Sequence, residues 1–429
     1  MHTLLFLEPG HFHAALTLRE AGPCVDETVH LYATPGPERD AFVALVEAFA
    51  RRDESPARWR VVVHESDDPL AALIAERRGD VVVLAGRNAA KLETIARLHA
   101  SGFNVLADKP WLLGLDALEH LDAVTAGPPL AMDIMTERFF ALAAVRQRLI
   151  GVDAVFGTFA LDDPARPAIE MSLVHHLWKR VNGVPLRRPP WYYDVAVQGD
   201  GMVDIQSHLV DQAQWMVLGD EAPDFARDVV IDVARRWSTP VPEALFREST
   251  GRDSFPAAVL GRVRDGTLEL PCNGEIAYRL RGVTVRQRAE WRQREPQGSG
   301  DQLATVVRGT RAELGLRLDA ETGFRPRLTV RPRPGAAIGP ALAEACAAWA
   351  ADDLPGLECV ADDEGWRVSV PTALDGGHES RFVRVRDQFL ALVDGAGYSP
   401  ALAARIRMRY TLLGHARERA LEAEGAGRS

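Results

Sequence analysis

Short apolar runs alternate with longer amphipathic segments through the first 150 residues of the chain. Apolar runs of this length, bounded by turn residues, predict strands at 3–7, 29–33, 60–64, 81–85, 103–107 and 130–133. Between them, apolar residues at helical spacing predict helices, including those over 69–78 and 89–101. Strands that alternate with helices are typical of a parallel sheet covered by helices. We therefore predict a doubly wound α/β domain over residues 1–150.

The pattern changes after residue 151, where turns become frequent and alternation with a period of two appears. Apolar and polar residues alternate over 276–280 and 283–286, which predicts antiparallel strands with one solvent-exposed face. We expect residues 151–429 to form an α+β domain around an open mixed or antiparallel sheet.

Two further features belong to this second predicted domain. The stretches 298–300 and 325–340 are rich in glycine or proline, and we expect them to be loop tips or connectors. Amphipathic patterns near 379–394 and 400–423 predict two helices that close the chain by packing back on the structure.

Composition narrows the class of protein. A length of 429 residues predicts two or three domains, and a net charge of -10 argues against nucleic acid or an anionic membrane as partner. The expected partner is a small polar substrate. The four cysteines lack a CxxC pair, which fits reduced thiols in the cytoplasm. The first apolar run, Leu4 to Leu7, is too short for a signal peptide or a membrane span.

In the segment from Gln198 to Asp211, Asp204, His208 and Asp211 follow the glycines at helical spacing. If the chain is helical from about Val203, Asp204, His208 and Asp211 emerge from one face. A carboxylate one turn from an imidazole fixes its tautomer and raises its basicity, as a general base requires. Asp204 and His208 are therefore candidate catalytic residues, whereas Asp211 is as readily explained as a bridging residue.

The turn after the first predicted strand is where a dinucleotide pyrophosphate would bind at a helix N-terminus. Of the usual glycine pattern only Gly10 is present, and Phe12 stands at the second glycine position. We interpret Gly10, His11, Phe12 and His13 as a specialised cofactor loop. The acid expected at the end of the second strand is missing, and Thr34 stands there, where it and Arg39 could accommodate a 2′-phosphate. The sequence therefore does not decide between NAD and NADP as the cofactor.

The fifth predicted strand leads directly into Asp108, Lys109 and Pro110. In a doubly wound sheet this places Lys109 at the carboxyl edge, where ligands bind. Its ammonium group is suited to hold a ribose or substrate hydroxyl, or to polarise an oxygen during hydride transfer. The alternative is a solvated loop lysine.

The remaining histidines and aromatic residues offer candidates for substrate binding. His176 and Lys179, three residues apart, would share a helical face and could meet a sugar hydroxyl. Trp191 could form a platform for a pyranose ring, although core packing is the commoner role of such residues. The histidines show no local ligand spacing typical of a metal site, and we predict no metal centre.

Two motifs, in the expected order, resemble the Gfo/Idh/MocA family, which includes glucose-fructose oxidoreductase and inositol dehydrogenase. Asp108-Lys109-Pro110 is similar to the family's Glu-Lys-Pro signature, with aspartate in place of the commoner glutamate. Gly199 to Asp211 resembles its glycine-rich segment that ends in Asp-x-x-x-His-x-x-Asp, with Gln206 where glycine is frequent. More narrowly, the chain resembles a subgroup of this family that has its own C-terminal domain. The motifs that carry this resemblance lie at 9–13, 174–176, 188–191, 198–201, 377–379 and 409–411.

This resemblance implies an N-terminal Rossmann domain that binds NAD(P), followed by an open mixed sheet whose outer face often mediates oligomers. Sugars and cyclitols are the usual substrates. By motif, Lys109 would contact cofactor and substrate, His208 would exchange the substrate hydroxyl proton, and Asp204 would bind substrate or orient the histidine. Asp108 and Pro110 would border the cofactor, for which NAD is preferred over NADP, and the chain would form a homo-oligomer through its C-terminal sheet.

Three functional hypotheses follow. The first is an NAD(P)-dependent dehydrogenase that acts on a secondary hydroxyl of a sugar, glycoside or cyclitol. The second is a redox-assisted lyase or glycosidase that keeps its nicotinamide bound and recycles it. The third is a non-catalytic Rossmann sensor or scaffold, against which the intact lysine and the Asp-x-x-x-His pair argue.

Overall fold

The computed structural model describes residues 1–163, 165–181, 184–296, 300–395 and 397–426. The chain divides into two compact units. The first unit comprises Met1–Thr136, Ala196–Gln198 and Gly376–Gly414, and the second unit comprises Glu137–Val195, Gly199–Asp375 and His415–Ser429. The sequence predicted one division after residue 150, whereas the first unit also contains a segment from near the end of the chain.

The strands of the described residues, in chain order, are β1 (Leu4–Leu7), β2 (Thr28–Tyr32), β3 (Arg60–His64), β4 (Val81–Leu84), β5 (Asn104–Ala107), β6 (Ala131–Asp133), β7 (Ile169–Trp178), β8 (Arg180–Val181), β9 (Val184–Pro185), β10 (Val229–Pro242), β11 (Val263–Arg264), β12 (Thr267–Leu280), β13 (Val283–Arg294), β14 (Gln302–Arg308), β15 (Ala312–Leu318), β16 (Arg327–Pro332), β17 (Glu358–Asp362) and β18 (Gly365–Ser369).

The α-helices in the same part of the chain are α1 (His13–Leu16), α2 (Pro37–Phe49), α3 (Pro69–Glu76), α4 (Lys91–Ala100), α5 (Leu118–Val124), α6 (Ala141–Ile150), α7 (Val195–Gln198), α8 (Gln206–Leu218), α9 (Phe225–Asp228), α10 (Glu243–Thr250), α11 (Gly339–Ala351), α12 (Thr372–Asp375), α13 (Gly377–Asp394) and α14 (Pro400–Ala426). Short 3-10 helices span Glu137–Phe139, Pro190–Tyr193, Ala257–Arg262 and Ala320–Thr322. None of the described helices is long and apolar enough to cross a membrane.

The first unit is built on six parallel strands in the order β3-β2-β1-β4-β5-β6. This is the strand order of the Rossmann fold, in which ligands bind outside the carboxyl ends of the strands. The central strands β1 and β4 are buried at every position, because helices cover both faces of the sheet. The six predicted strands and the parallel sheet are confirmed.

The two predicted C-terminal helices correspond to α13 and α14, and α13 belongs to the first unit. Its Phe382 and Phe389 are buried, with 1% and 0% of their surfaces exposed. The Arg386 guanidinium donates to the carbonyl oxygens of Thr17 and Glu20, at 2.7 and 2.8 Å. Helix α13 thus satisfies the carbonyl groups that follow α1.

The second unit is built on a mixed sheet in the order β10-β12-β13-β7-β14-β15-β16-β18-β17, with β11 paired to β12. Strands β13 and β7 are parallel and the other pairs are antiparallel. Tyr278 faces Val285 across the β12–β13 hairpin, as the predicted alternation requires. The expected open mixed or antiparallel sheet is confirmed.

The stretch 325–340 departs from its prediction as a connector. It contains β16 and the start of α11, and β16 pairs with β15 and β18. The prediction was wrong because Pro326 and Pro334 flank the strand and Pro332 ends it, so none of them interrupts its hydrogen bonds. In the predicted loop tip 298–300, Gly298 and Ser299 lie outside the described residues.

Candidate functional site

The turn after β1 differs from a glycine-rich phosphate loop. The amides of Gly10 and His11 both donate to the Ala85 carbonyl oxygen, each at 3.0 Å. A Cβ on Gly86 would lie 2.6 Å from the Glu8 carbonyl oxygen, so glycine is needed where this turn meets the end of β4. Phe12 precedes α1, which is a single turn long. The backbone amides at 10 and 11 are therefore committed to the protein itself.

The side chains of this turn gather around one carboxylate. His13 Nδ1 lies 2.9 Å and His11 Nδ1 3.6 Å from Asp108 Oδ2. The two imidazole rings meet edge to face, with centroids 4.0 Å apart. On its other side His13 packs against Phe382 of α13, with ring centroids 4.5 Å apart. The sequence placed His11, His13 and Asp108 among the cofactor residues but gave no sign of their mutual contact.

Asp108, Lys109 and Pro110 follow β5 at the carboxyl edge of the parallel sheet, as predicted. The Lys109 amide donates to Asp108 Oδ1 at 3.0 Å, which leaves Oδ2 facing the two histidines. The Asp108 backbone carbonyl accepts a hydrogen bond of 2.9 Å from Lys91, which is only 4% exposed. Lys109 is half-buried and Pro110 is buried.

Lys91 was missed from the sequence. It begins α4, and its ammonium also donates to Asn88 Oδ1 at 2.5 Å. Asn88 in turn donates to the Gln198 carbonyl at 2.6 Å. A lysine among the apolar positions of a predicted helix was a signal of burial, but its contact with the Asp108 carbonyl, 17 positions further along the chain, could not be recognised from the local sequence.

A carboxylate does lie at the end of β2, and it comes from β1. Glu8 accepts from the Thr34 amide at 2.8 Å and from the Thr34 hydroxyl at 3.4 Å. Its backbone has φ +43°, in the left-handed region, which turns the chain out of the strand. Arg39, considered for a 2′-phosphate, is paired with Asp40 at 2.9 Å and Glu65 at 2.6 Å.

A second buried carboxylate stands at the end of β6. Asp133 accepts from the Tyr410 hydroxyl at 2.9 Å and from the Arg409 guanidinium. The Tyr410 ring stacks on Trp111, which follows Pro110, with centroids 5.5 Å apart. Burial, followed by the charge of Asp133, raises the pKa of Tyr410 well above its usual range. Residues 409–410 of α14 thus support the segment that carries Lys109.

In the second unit, helix α8 begins at Gln206 and not near Val203. Asp204 lies in the preceding turn, 5% exposed, and His208 lies half-buried in the first helical turn. The later start follows from Gly201, where a Cβ would lie 2.1 Å from the Asn273 backbone. The turn packs directly on β12, so its geometry is set by the sheet and not by helical periodicity.

Neighbouring residues of α8 have structural partners. Asp211 is 1% exposed and accepts two hydrogen bonds from Arg138, at 2.9 and 2.8 Å. Gln206, which stands where the family often has glycine, donates to the Gly274 carbonyl at 2.8 Å. These contacts fix the helix that carries His208, and they agree with a bridging role for Asp211.

The predicted helical face of His176 and Lys179 does not exist, because His176 lies in strand β7 and Lys179 just after it. The short segment 173–178, Leu-Val-His-His-Leu-Trp, is compatible with a helix or a strand, and its pairing with β13 and β14 makes it a strand. Both side chains nevertheless meet Asp301, Lys179 Nζ at 2.5 Å and His176 Nδ1 at 3.7 Å.

Asp301 is the centre of a cationic cluster that also includes His175, whose Nδ1 lies 2.6 Å away. Burial by itself would raise the pKa of Asp301, but the charges of His175 and Lys179 outweigh it and hold the pKa well below its usual range. Asp301 follows a Gly-Ser-Gly stretch, and nothing in the local sequence pointed to this role.

Trp191 lies half-buried in the 3-10 helix Pro190–Tyr193. Its neighbour Tyr192 packs edge to face on Trp291, and Arg188 lies over both rings, at 4.6 and 4.9 Å from their centroids. Arg188 also donates to the carbonyls of His176 and Leu177, at 2.8 and 2.7 Å. Burial raises the pKa of Tyr192 well above its usual range, so its phenol stays neutral.

Comparison with known proteins places the chain among oxidoreductases. The family model described as "Putative oxidoreductase C terminal domain" matches residues 145–404. A "putative oxidoreductase" from Parabacteroides merdae ATCC 43184 is 33% identical and covers 98% of both chains, with a TM-score of 0.92. No curated protein matches the chain.

Two more distant structures share the fold. Levoglucosan dehydrogenase in complex with NADH and levoglucosan is 16% identical and covers 98% of this chain and 97% of that chain, with a TM-score of 0.58. GenD2 from gentamicin A biosynthesis, in complex with NAD, is also 16% identical and covers 98% and 94%, with a TM-score of 0.58. The family model spans more than half of the chain, and the resemblance read from the motifs is confirmed. The chain belongs to the Gfo/Idh/MocA-type oxidoreductases that carry this C-terminal domain.

Proposed function

We propose that the protein is an NAD-dependent dehydrogenase that oxidises a secondary hydroxyl of a sugar, glycoside or cyclitol, or reduces the corresponding ketone. The observation that carries this proposal is the carboxyl edge of the six-stranded sheet. There Glu8, Thr34, Asp108 and Lys109 follow strands β1, β2 and β5. In this fold a dinucleotide binds at that edge.

The ribose end of a dinucleotide fits the residues present. A carboxylate near the end of the second strand is the usual acceptor for the 2′-hydroxyl of NAD. Glu8 supplies that carboxylate and Thr34 holds it in place. A 2′-phosphate would meet the negative charge of Glu8, while Arg39 is already paired with two carboxylates. This arrangement supports NAD over NADP.

The phosphates of a dinucleotide would be bound here by other groups than the backbone amides of a glycine-rich loop. Since the amides of Gly10 and His11 bind Ala85, the side chains of His11, His13 and Lys109 would have to meet the negative charge of the phosphates. Phe12 would border the same loop. When bound, the nicotinamide would accept or donate the hydride, and the protein's own groups would bind, orient and move protons.

The proposed roles of the catalytic residues follow the family motifs. Lys109, held at the end of β5, would orient the substrate hydroxyl and stabilise charge on its oxygen. His208, at the start of α8, would take up the hydroxyl proton, and Asp204 would bind substrate or orient the imidazole. Pro110 and Asp108 would fix the direction of the Lys109 backbone.

A carbohydrate-like substrate is supported by two observations. Levoglucosan dehydrogenase, which shares the fold, binds levoglucosan and L-sorbose. In this chain Asp301 holds the Lys179 ammonium and two imidazoles together, and such groups are suited to donate to several hydroxyl oxygens. Trp191 and His176 remain proposed substrate contacts.

We also propose a homo-oligomer formed through the sheet of the second unit in the cytoplasm. The outward-facing positions of β12 and β13 carry charges of both signs, as at Glu269, Arg286 and Glu290, so that opposite charges can pair between copies. An interface of this composition should weaken at high salt. Native mass spectrometry over a range of ammonium acetate concentrations tests the assembly, and a monomer under all conditions would contradict it.

The decisive test of function is native mass spectrometry of the purified protein with NAD and NADP, followed by denaturation to release any retained nucleotide. Exchangeable NAD together with NADH production from a panel of sugars and cyclitols is the expected result. Tightly retained NAD without net NADH production would favour the recycling lyase or glycosidase. If neither dinucleotide binds, the non-catalytic sensor would be the remaining hypothesis.

The catalytic assignment is tested separately with Lys109→Ala and His208→Ala. Both variants should lose turnover by about 100-fold or more, since a positioned acid or base contributes about 100- to 10,000-fold. Both should still fold, as judged by circular dichroism. Arg58→Ala, at an exposed position away from the proposed site and interface, is the control and should keep full turnover. Undiminished activity in His208→Ala would exclude its role.

A further inference from the structure

Three metal-ligating side chains converge where the turn after β1 meets the end of β5. His11, His13 and Asp108 each place one ligand atom so that all three atoms lie within 4.8 Å of one another. His13 Nδ1 lies 2.9 Å and His11 Nδ1 3.6 Å from the same carboxylate oxygen, Asp108 Oδ2. The two imidazole rings are perpendicular, at 90°, so neither ring stacks over the nitrogen atoms of the other.

These separations match a metal site closely. With bonds of about 2.0–2.2 Å, two ligand atoms on a tetrahedral ion lie roughly 3.4 Å apart. The two nitrogen-to-oxygen distances, 2.9 and 3.6 Å, lie on either side of this value, and each differs from it by no more than about half an ångström. Three protein ligands leave at least one coordination position for water or a ligand oxygen, as in catalytic sites.

The ligands are held in position before any ion binds. Asp108 Oδ1 accepts from the Lys109 amide, which directs Oδ2 towards the histidines. The amide of His11 is fixed by Ala85, and the His13 ring packs against Phe382. The side chains of His11, His13 and Asp108 are 19%, 14% and 8% exposed, so the site is shielded yet reachable from solvent. Groups that orient ligands in this way raise metal affinity.

We propose that His11, His13 and Asp108 bind one divalent transition-metal ion of the Zn²⁺, Co²⁺ or Fe²⁺ class. Two imidazole nitrogens and one carboxylate oxygen suit these ions and not Mg²⁺ or Ca²⁺, which prefer oxygen ligands. The prediction of no metal centre rested on local histidine spacing, whereas the third ligand here lies 95 positions from His13. The proposal does not depend on the dehydrogenase function.

An ion at this place would also balance charge. Asp108 puts a carboxylate beside the loop proposed to face a dinucleotide, and an anionic ligand there would be repelled by it. A bound divalent cation reverses the sign of the local charge. Its open position would accept an oxygen of a phosphate or of a substrate hydroxyl.

The test uses the full-length protein without a histidine tag, treated with chelator and kept free of nucleotide. Isothermal titration with Zn²⁺ and elemental analysis after desalting should give one ion per chain. Titration with Co²⁺ should give visible absorption bands of a four- or five-coordinate ion with nitrogen ligands. Failure to bind either ion in stoichiometric amounts would overturn the proposal, and it would leave the result for NAD binding untouched.

Variants locate the ion. Loss of a group that merely orients a ligand costs about 10- to 100-fold in metal affinity, so His13→Ala and Asp108→Asn should each cost at least that much. His30→Ala is the control, because His30 and His64 form another imidazole pair in the first unit, 2.8 Å apart. Equal affinity in all variants, or equal loss in the control, would place the ion elsewhere and refute the proposal.

If a variant does not fold, X-ray absorption spectroscopy of the Zn²⁺-loaded wild-type protein identifies the ligands of the ion. Two imidazoles and one carboxylate in the coordination sphere are expected, and a sphere without imidazole would refute the site.

Discussion

At the scale of single residues, Glu8 places a carboxylate at the end of β2, where the sequence itself has none. The usual acid at the end of β2 is absent, and Glu8 at the end of β1 reaches the Thr34 amide at that place. The left-handed backbone at Glu8 is what turns its side chain towards β2. In the proposed function, this carboxylate would disfavour a 2′-phosphate.

Glu8→Gln should therefore weaken NAD binding by about tenfold or more, since a hydrogen bond to a charged group contributes about 1.5–3 kcal/mol. NADP binding should strengthen, because the repelling charge is removed. Fluorescence titration with both dinucleotides measures the change. Glu47→Gln, an exposed position on α2, is the control. An unchanged ratio of the two affinities would show that Glu8 does not contact the ribose.

Asp301 carries a second prediction at this scale. Its pKa lies below the usual value because His175 and Lys179 surround it, so its contribution to stability is complete above about pH 4, the pKa of an unfolded aspartate. That contribution is lost as the pH falls from there towards the folded pKa. Asp301→Asn should lower the free energy of unfolding on the order of 2 kcal/mol at pH 7, and by less at pH 3.

Urea unfolding at the two pH values checks this. Asp363→Asn, at an exposed position, should change neither value. A deficit in Asp301→Asn that stays constant from pH 7 to pH 3 would show that the ionised carboxylate is not what stabilises the cluster.

At the scale of elements, the turn before α8 is fixed by two glycines. A Cβ on Gly201 would lie 2.1 Å from the Asn273 backbone, and one on Gly274 would lie 2.4 Å from the Gly201 carbonyl oxygen. The Gly201 amide also donates to the Pro271 carbonyl at 3.1 Å. The turn that carries Asp204 therefore rests directly on β12, backbone against backbone.

Gly201→Ala should destabilise the protein by about 1–3 kcal/mol or more, as overpacking against a rigid backbone does. It should also speed amide exchange at the start of α8, because the turn must move off the sheet. Gly261→Ala, where a Cβ would meet nothing within 4 Å, is the matched control. Hydrogen-exchange mass spectrometry compares the two, and equal protection of α8 in both would contradict the role of the close approach.

The same scale shows which elements could be read from the sequence. The six parallel strands were predictable because each contains a short apolar run, although only the inner strands are largely buried and the edge strand β3 is partly exposed. The hairpin of β12 and β13 was predictable because its alternation has a period of two. Strand β7 was mistaken for a helix around His176, since so short a segment is compatible with either period and only its pairing with β13 and β14 shows that it is a strand.

At the scale of the whole molecule, the first unit is completed by a segment nearly 240 positions further along the chain, Gly376–Gly414. Helix α13 supplies buried aromatic side chains, and Arg386 binds two carbonyls after α1. The parallel sheet of the first unit thus depends on the C-terminal helices for part of its core.

Phe389→Ala should lower the free energy of unfolding of the first unit by about 3–5 kcal/mol, as expected for a fully buried phenylalanine. Hydrogen exchange should quicken in β1 to β6 more than in the strands of the second unit. Leu260→Ala, at a position 54% exposed, is the control. Unchanged protection of the parallel sheet would show that it folds without α13.

The sequence by itself determined the six parallel strands, the hairpin of β12 and β13, the two sheet types, the family and the place of Lys109 just after β5. These follow from periodicity and from motifs that are contiguous in the chain. Only the tertiary structure decided which side chains meet. Asp108 joins His11 and His13, Glu8 reaches Thr34, Asp301 gathers His175 and Lys179, and α13 packs on the first unit. Such contacts depend on strand pairing and packing between distant segments, and no local pattern encodes them.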